Sequence, residues 1–156
     1  MRTRIQRSDT AADSRPLPAR RPRGAHEPGD AGPPVDEPAA HRALLELLAF
    51  PALGRAWLIE ADGRPVGYVA LTLGFSLEYG GRDAFVDELF VQPGYRRRGF
   101  GRAALAFAVE EASRLGVQAV HLEVERANPA AHDLYRSLGF GGNDRLLLTR
   151  RLARRG

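Results

Sequence analysis

Val91-Gln92-Pro93-Gly94-Tyr95-Arg96-Arg97-Arg98-Gly99-Phe100-Gly101 is the stretch on which the fold turns. Asp83 to Val91 reads as a strand, stopped by Pro93-Gly94. From Gly101 to Leu115 the pattern becomes helical, with Ala104, Leu105, Ala108, Ala112 and Leu115 on one side and Gly116 as a C-cap. The quoted residues therefore carry the chain from a strand into a helix. A helix start presents unpaired N–H groups and the positive end of the helix dipole. Gly99 and Gly101 let the backbone close on an anion without Cβ obstruction, and the arginines add charge around it. A glycine pair before a helix is weak evidence alone, because many such turns carry glycine for sterics only. The pattern Arg-x-x-Gly-x-Gly placed after Val-x-Pro is far more specific, and reads as a phosphate cradle. No Gly-Lys-Ser/Thr follows, which excludes a nucleoside-triphosphate P-loop. The third glycine of a dinucleotide fingerprint is missing, and a hairpin rather than a βαβ start precedes the turn.

Working outward, Ala56 to Glu60 and Pro65 to Phe75 read as two strands joined by the turn Ala61-Asp62-Gly63-Arg64, and Glu78 to Gly81 form another turn. A helix is expected over 37–49, with Asp36 as N-cap, Pro38 in the first turn and Leu44, Leu45, Leu47 and Leu48 on its apolar face. Downstream, Gln118 to Val124 alternates, with Val120, Leu122 and Val124 inward. Asn128 to Leu138 is a short helix ended by Gly139, and Arg145 to Leu152 is expected as a last strand. Hairpin strands followed by strand–helix–strand–helix–strand make an α/β or α+β domain with a mixed sheet, over 36–156. Residues 1–35 form a separate Pro/Arg/Gly-rich arm. Seven of the eleven prolines lie between Pro16 and Pro38, which forbids a continuous helix there. That stretch is a disordered tether or an irregular covering segment. Before it, Thr3 to Arg7 can form a short edge strand.

With 156 residues the chain suits one domain. It has no cysteine, which excludes disulfides, zinc–thiolate sites and a cysteine nucleophile. His26, His41, His121 and His132 show no metal-ligand spacing, and no metal is expected. The formal net charge of +4 is carried by 23 arginines and no lysine. Aromatic residues are not interleaved with the arginines, so the charge reads as solvated composition rather than a nucleic-acid surface. No apolar run approaches the ~18 residues of a membrane span, and no apolar segment follows the basic N-terminus. A soluble, cytoplasmic protein is expected.

Two segments together resemble the GNAT superfamily of N-acetyltransferases. One is Asp87-Glu88-Leu89-Phe90-Val91-Gln92-Pro93 running into Arg96 to Gly101. The other is Asn128-Pro129-Ala130-Ala131-His132-Asp133-Leu134-Tyr135-Arg136-Ser137-Leu138-Gly139-Phe140. The likeness covers about 36 to 152; the family has a helix where this chain has its proline-rich stretch. The resemblance implies a mixed, splayed sheet flanked by helices, with acetyl-CoA between the two central parallel strands. It implies that backbone groups of Leu89, Phe90 and Val91 hold the thioester and pantetheine arm. Backbone N–H groups from Arg97 to Arg102, at the turn formed by Arg96, Arg97, Arg98, Gly99, Phe100 and Gly101, would hold the pyrophosphate. Asn128 would touch the pantetheine or order its turn, and Tyr135 would be the general acid near the thioester sulfur.

Acetyl transfer needs an uncharged, aligned amine, a donor for the oxyanion and a proton for the leaving thiolate. A strand N–H at about Phe90 or Val91 suits the oxyanion. Without a cysteine acyl carrier, direct transfer in a ternary complex is expected. For the base, Glu123 lies five residues before Asn128, a spacing similar to the ribosomal-protein alanine acetyltransferase branch. Asp87 and Glu88 are its rivals, and strand alternation sends those two to opposite faces. His121 and His132 read as surface or structural residues, Trp57 as core and Glu78 as a turn residue. Glu78, Asp87, Glu88, Glu123 and Glu125, if they converge, suit a cationic amine, whereas the positive net charge argues mildly against a basic protein tail. The acceptor stays open between a small amine and a protein N-terminus, as does a homodimer. Two other readings stand beside the enzyme: a non-catalytic acyl-CoA-binding module on the same fold, and a nucleic-acid binder.

Overall fold

The computed structural model describes residues 3–7, 37–142, 147–150 and 152. The chain divides into two compact units, Met1–Glu123 and Val124–Gly156.

The first unit is built on a five-stranded sheet in sequential order: β1 (Thr3–Arg7), β2 (Gly54–Ala61), β3 (Arg64–Ser76), β4 (Gly81–Val91) and β5 (Ala119–His121). The first four strands pair antiparallel, and β5 runs parallel to β4, giving the mixed sheet that the element order predicts. Asp62 and Gly63 join β2 to β3 with φ of 49° and 77°. Two consecutive left-handed residues match the twist of a two-residue hairpin. The edge strand expected at 3–7 is present, with Ile5 opposite Ile59. The helix α1 (Glu37–Ala49) has the expected bounds, while Asp36 and the arm over 8–36 lie outside the described residues.

Strand register assigns the sheet's two faces. Trp57, Val69 and Leu89 share one face, and Leu71 and Val86 lie on it too. The helix α2 (Phe100–Arg114) covers this face: its Phe107 meets Trp57 edge-on at 5.5 Å. Phe100, Ala104, Leu105, Ala108 and Ala112 are its buried side, and the alanines let the helix lie close to the strands. Every residue from Ala56 to Ala61 is buried, so β2 is covered on both faces. On its other side Leu47 of α1 lies against Gly54, 2.7 Å from where a Cβ would stand. The second face carries Tyr68 and Ala70 of β3 with Phe85, Glu88 and Phe90 of β4.

Two expected strands differ from the structure. The segment 118–124 pairs with β4 only over Ala119–His121, and among the described residues Leu122 to Val124 have no ladder partner. In the second unit, α3 (Pro129–Ser137) forms within the expected helix. The strand expected over 145–152 is absent from the described residues of that range, 147–150 and 152, which are exposed and irregular. A strand's backbone groups need a partner, and the described part of this unit contains no other strand to supply one. No helix among the described residues is long and apolar enough to cross a membrane.

Candidate active site

Between β4 and α2 the chain makes a single 3-10 turn over Pro93–Tyr95 and then the arginine–glycine stretch. Gly99 is the N-cap of α2 at φ 85°, and Arg97 is left-handed at φ 60°. Alternating hand in successive residues gathers N–H groups into an anion-binding concavity. The first bond of the helix runs from the Ala103 N–H to the Gly99 carbonyl at 3.0 Å. The N–H groups of Phe100, Gly101 and Arg102 precede it and have no carbonyl four residues back within the helix. Gly99 offers no capping side chain, and the first turn contains no acidic residue. A Cβ added at Gly101 would meet nothing within 4 Å.

The arginines divide by role. Arg96 donates from Nε to the Val91 carbonyl at 2.9 Å and lies over the Phe90 ring at 6.0 Å. Arg98 donates to the Gly94 carbonyl at 3.5 Å and stacks on Tyr95 at 5.3 Å. These two brace the loop. Arg97 and Arg102 are exposed beside the helix start.

Preceding the turn, β4 carries a bulge. Leu71 pairs with Val86 and Ala70 with Glu88, which leaves Asp87 as the extra residue. Bulges bend and twist their strand. The pairing with β5 ends two residues before the bulged Asp87, at Phe85 opposite His121, so β4 from Val86 to Val91 runs on with an edge that β5 no longer covers. Which backbone groups use that edge follows from alternation in the β3–β4 ladder. The Gln92 N–H bonds the Val66 carbonyl at 2.8 Å, and the Phe90 carbonyl comes within 2.2 Å of where a Cβ on Gly67 would stand. Phe90 therefore spends its backbone on β3, and Leu89 and Val91 turn theirs toward the gap.

The bulge also revises the expected split of the two carboxylates. Simple alternation sends Asp87 and Glu88 to opposite faces, but the extra residue resets the register at this point. Glu88, half-buried, joins the face of Phe85, Tyr68 and Phe90, while Asp87 is exposed at the bulge itself. Glu123 is exposed, two residues past the end of β5.

In the second unit, the Asn128 side chain caps α3 by accepting the Ala131 N–H at 3.1 Å. Tyr135 sits at the other end of that helix. Gly139 at φ 86° ends it, with the Phe140 N–H bonded to the Tyr135 carbonyl and the Gly139 N–H to that of Arg136, both at 3.0 Å. This is a Schellman ending, whose hydrophobic contact is Phe140 against Tyr135. Burial pushes the Tyr135 hydroxyl above its ordinary pKa. His132, expected to be structural, bonds the Glu125 carbonyl at 3.1 Å.

One cluster is invisible to sequence reading. His121 of β5 lies 3.5 Å from the Asp83 carboxylate of β4, with the rings of Tyr79 and Phe85 at 5.1 and 6.5 Å. Only the parallel alignment of β4 with β5 brings these residues together, and no local motif signals it.

The sequence pattern of the acetyltransferase (GNAT) family matches residues 25–140. An N-acetyltransferase of Methanocaldococcus jannaschii is 36% identical over 85 residues, which are 54% of this chain and 38% of that protein. The chain thus matches well under half of that relative's length. The ribosomal protein bS18-alanine N-acetyltransferase of Escherichia coli K12 is 32% identical over 111 residues, 68% of this chain and 75% of that one. Among solved structures, an integron cassette protein from the mobile metagenome of Cole Harbour salt marsh superposes with a TM-score of 0.66 at 44% identity, covering 74% of this chain and 71% of that one. The family pattern runs through both the exposed edge of β4 and the start of α2, and the chain belongs to the GNAT family of acetyltransferases.

Proposed function

We propose that the chain is an N-acetyltransferase that moves the acetyl group of acetyl-CoA to a primary amine by direct attack in a ternary complex, in the cytoplasm, with residues 36–156 as the catalytic domain. The observation that carries this reading is the start of α2: an N-cap glycine that offers no capping side chain, a first turn without an acidic residue, and Arg97 and Arg102 exposed beside it. Such an end suits a pyrophosphate.

Acetyl-CoA supplies an activated acyl thioester. Backbone groups of Leu89 and Val91 line the edge of β4 that would hold its arm, and an N–H there would receive the developing oxyanion charge. The Val91 carbonyl is already engaged by Arg96. We assign the proton donor to Tyr135, on the Asn128…Tyr135…Gly139-Phe140 pattern and on a hydroxyl whose raised pKa keeps it protonated at neutral pH. Glu123 and Glu88 are the bases that would take the amine's proton. Asn128 acts by shaping the turn that leads into α3. The E. coli relative is named for an alanine of ribosomal protein bS18, and a protein N-terminus or a small amine is the acceptor here.

Calorimetric titration with acetyl-CoA, followed by thiol release across a panel of amines, tests the reading. Saturable binding and release with at least one amine are expected. Absence of binding would sink it, and binding without release from any amine would favour the non-catalytic acyl-CoA module instead.

A further inference from the structure

The cluster of Tyr79, Asp83, Phe85 and His121 lies on the face of the sheet opposite α2. Phe85 shares that face with Glu88 and Phe90 by register, and Asp83 and His121 join it through their contacts. The cluster has a built character. The carboxylate of Asp83 sits over Gly74, its ladder partner; its Oδ1 is 2.5 Å from where a Cβ on Gly74 would stand, so any side chain there would displace it. Its Oδ2 faces His121 Nε2 at 3.5 Å. The rings of Tyr79 and His121 are 5.1 Å apart and those of Phe85 and His121 6.5 Å, so the imidazole that faces the carboxylate is itself flanked by two further rings. None is sealed in the core: Tyr79 is 45% exposed, and the His121 and Asp83 side chains are 32% and 22% exposed.

A part-exposed carboxylate attracts an ammonium or guanidinium group through its charge, and part-exposed aromatic rings on the same face add the attraction of their quadrupoles. The surrounding charge favours this. In a chain of net charge +4, the cluster holds no arginine, and register puts the adjacent Arg82 on the other face, opposite Phe75. Strand geometry sets the distance to the chemistry. At about 3.3 Å per residue, and with the bulged Asp87 adding no rise, Phe85 lies roughly 10 Å along β4 from Leu89 and roughly 16 Å from Val91, and Asp83 lies about 7 Å further from each.

We propose that Tyr79, Asp83, Phe85 and His121 form a recognition site for a second, non-reacting cation of the acceptor, so that the acceptor is an amine bearing another ammonium or guanidinium group roughly 10–20 Å from the nitrogen acetylated. The proposal rests on the acetyl-transfer reading and names its substrate class.

Two measurements test it, and they fail separately from that reading. In the first, linear diamines of increasing length are compared with monoamines of the same length as acceptors. A diamine spanning about that distance is expected to show kcat/KM at least about tenfold above its monoamine, about one RT ln 10 of added binding. Asp83→Asn and, independently, the more exposed Tyr79→Ala are expected to shrink that ratio toward one, chiefly through KM. Both are checked for folding by thermal melting. Equal kcat/KM for diamine and monoamine would overturn the recognition site and leave the transferase reading standing. The second measurement needs no turnover. The imidazole resonances of His121, assigned with His121→Gln, are followed by NMR while the same diamine is titrated into the CoA-loaded protein. A saturable shift that Asp83→Asn abolishes is expected, and an unmoved His121 would overturn the proposal whatever the enzyme acetylates.

Discussion

Phe140 closes the end of α3 on Tyr135: its N–H bonds the Tyr135 carbonyl at 3.0 Å, and its ring lies 6.2 Å from the tyrosine ring, tilted by 62°. The spacing Tyr-x3-Gly-Phe thereby acquires a local cause. Gly139 takes the left-handed position that ends the helix, and Phe140 returns over Tyr135 to hold it. Tyr135→Phe keeps this packing and removes only the hydroxyl. Its expected effect is a fall in kcat of about 10²–10⁴-fold with acetyl-CoA affinity retained. Calorimetry and steady-state kinetics on the same sample check both halves, and unchanged kcat would remove Tyr135 as general acid.

The pH profile follows from the same hydroxyl. Burial favours the neutral phenol, so the pKa lies above the ordinary value of 10.0. A donor must be protonated to act, and burial moves the loss of this proton to higher pH than in an ordinary tyrosine. No loss of kcat from Tyr135 is therefore expected below a pH of about 10. The stability sign agrees: the folded state binds this proton more tightly, so its contribution is present below the unfolded pKa and lost only as pH rises through the folded one. An alkaline limb well below 10 that vanished in Tyr135→Phe would contradict the burial argument.

Asn128 separates capping from cofactor contact. Its side chain accepts the Ala131 N–H, and loss of such a cap costs about 1 kcal/mol. Asn128→Ala is expected to lower stability by that amount and to impair turnover, while Asn128→Asp restores both because aspartate caps equally well. If Asn128→Asp regained stability in thermal melts but not activity, the amide would be needed for more than the cap.

How far the sequence could be read depended on how local each feature is. The hairpin at Asp62-Gly63, the end of α2 at Gly116 and the end of α3 at Gly139 were all legible, since each is a turn whose conformation a few neighbouring residues decide. The strand 118–124 was read too long because its partner decides its length, and that partner bends at Asp87. The bulge itself was missed: Val86-Asp87-Glu88-Leu89 carries no glycine or proline to announce it. The same non-local pairing hid the Asp83–His121 contact. The glycines at the start of α2 were legible, but not the distinction between them. Gly99 is required by its left-handed backbone, whereas Gly101 meets no steric demand from the chain.

The bulge yields a prediction about the two rival carboxylates on β4. Register places Glu88 among Phe85, Tyr68 and Phe90, while Asp87 is exposed at the bulge. Glu88→Gln is therefore expected to lower kcat/KM for amines more than Asp87→Asn does, by at least about tenfold. Glu123→Gln, measured beside them, identifies the base as the variant that abolishes the acidic limb of the pH profile. A larger loss in Asp87→Asn than in Glu88→Gln would show that the register argument misassigns the working carboxylate.

Gly101 gives the sharpest test of the cradle, because stability and binding should move in opposite directions. It lies in the first turn of α2, and a methyl group added there meets no atom of the chain within 4 Å. Glycine in a helix costs about 0.5–1 kcal/mol relative to alanine, largely by freeing the unfolded chain. Gly101→Ala should therefore raise the melting temperature of the free protein. If the N–H groups of Phe100, Gly101 and Arg102 receive a pyrophosphate, the same methyl group intrudes on it. The Kd for acetyl-CoA should then rise by about tenfold or more, equivalent to about 1.4 kcal/mol. Differential scanning calorimetry and isothermal titration on one preparation read both effects. A variant that is more stable and binds acetyl-CoA as tightly as the parent would show that the ligand does not approach the backbone at Gly101, and would move the phosphate-binding role to the side chains of Arg97 and Arg102.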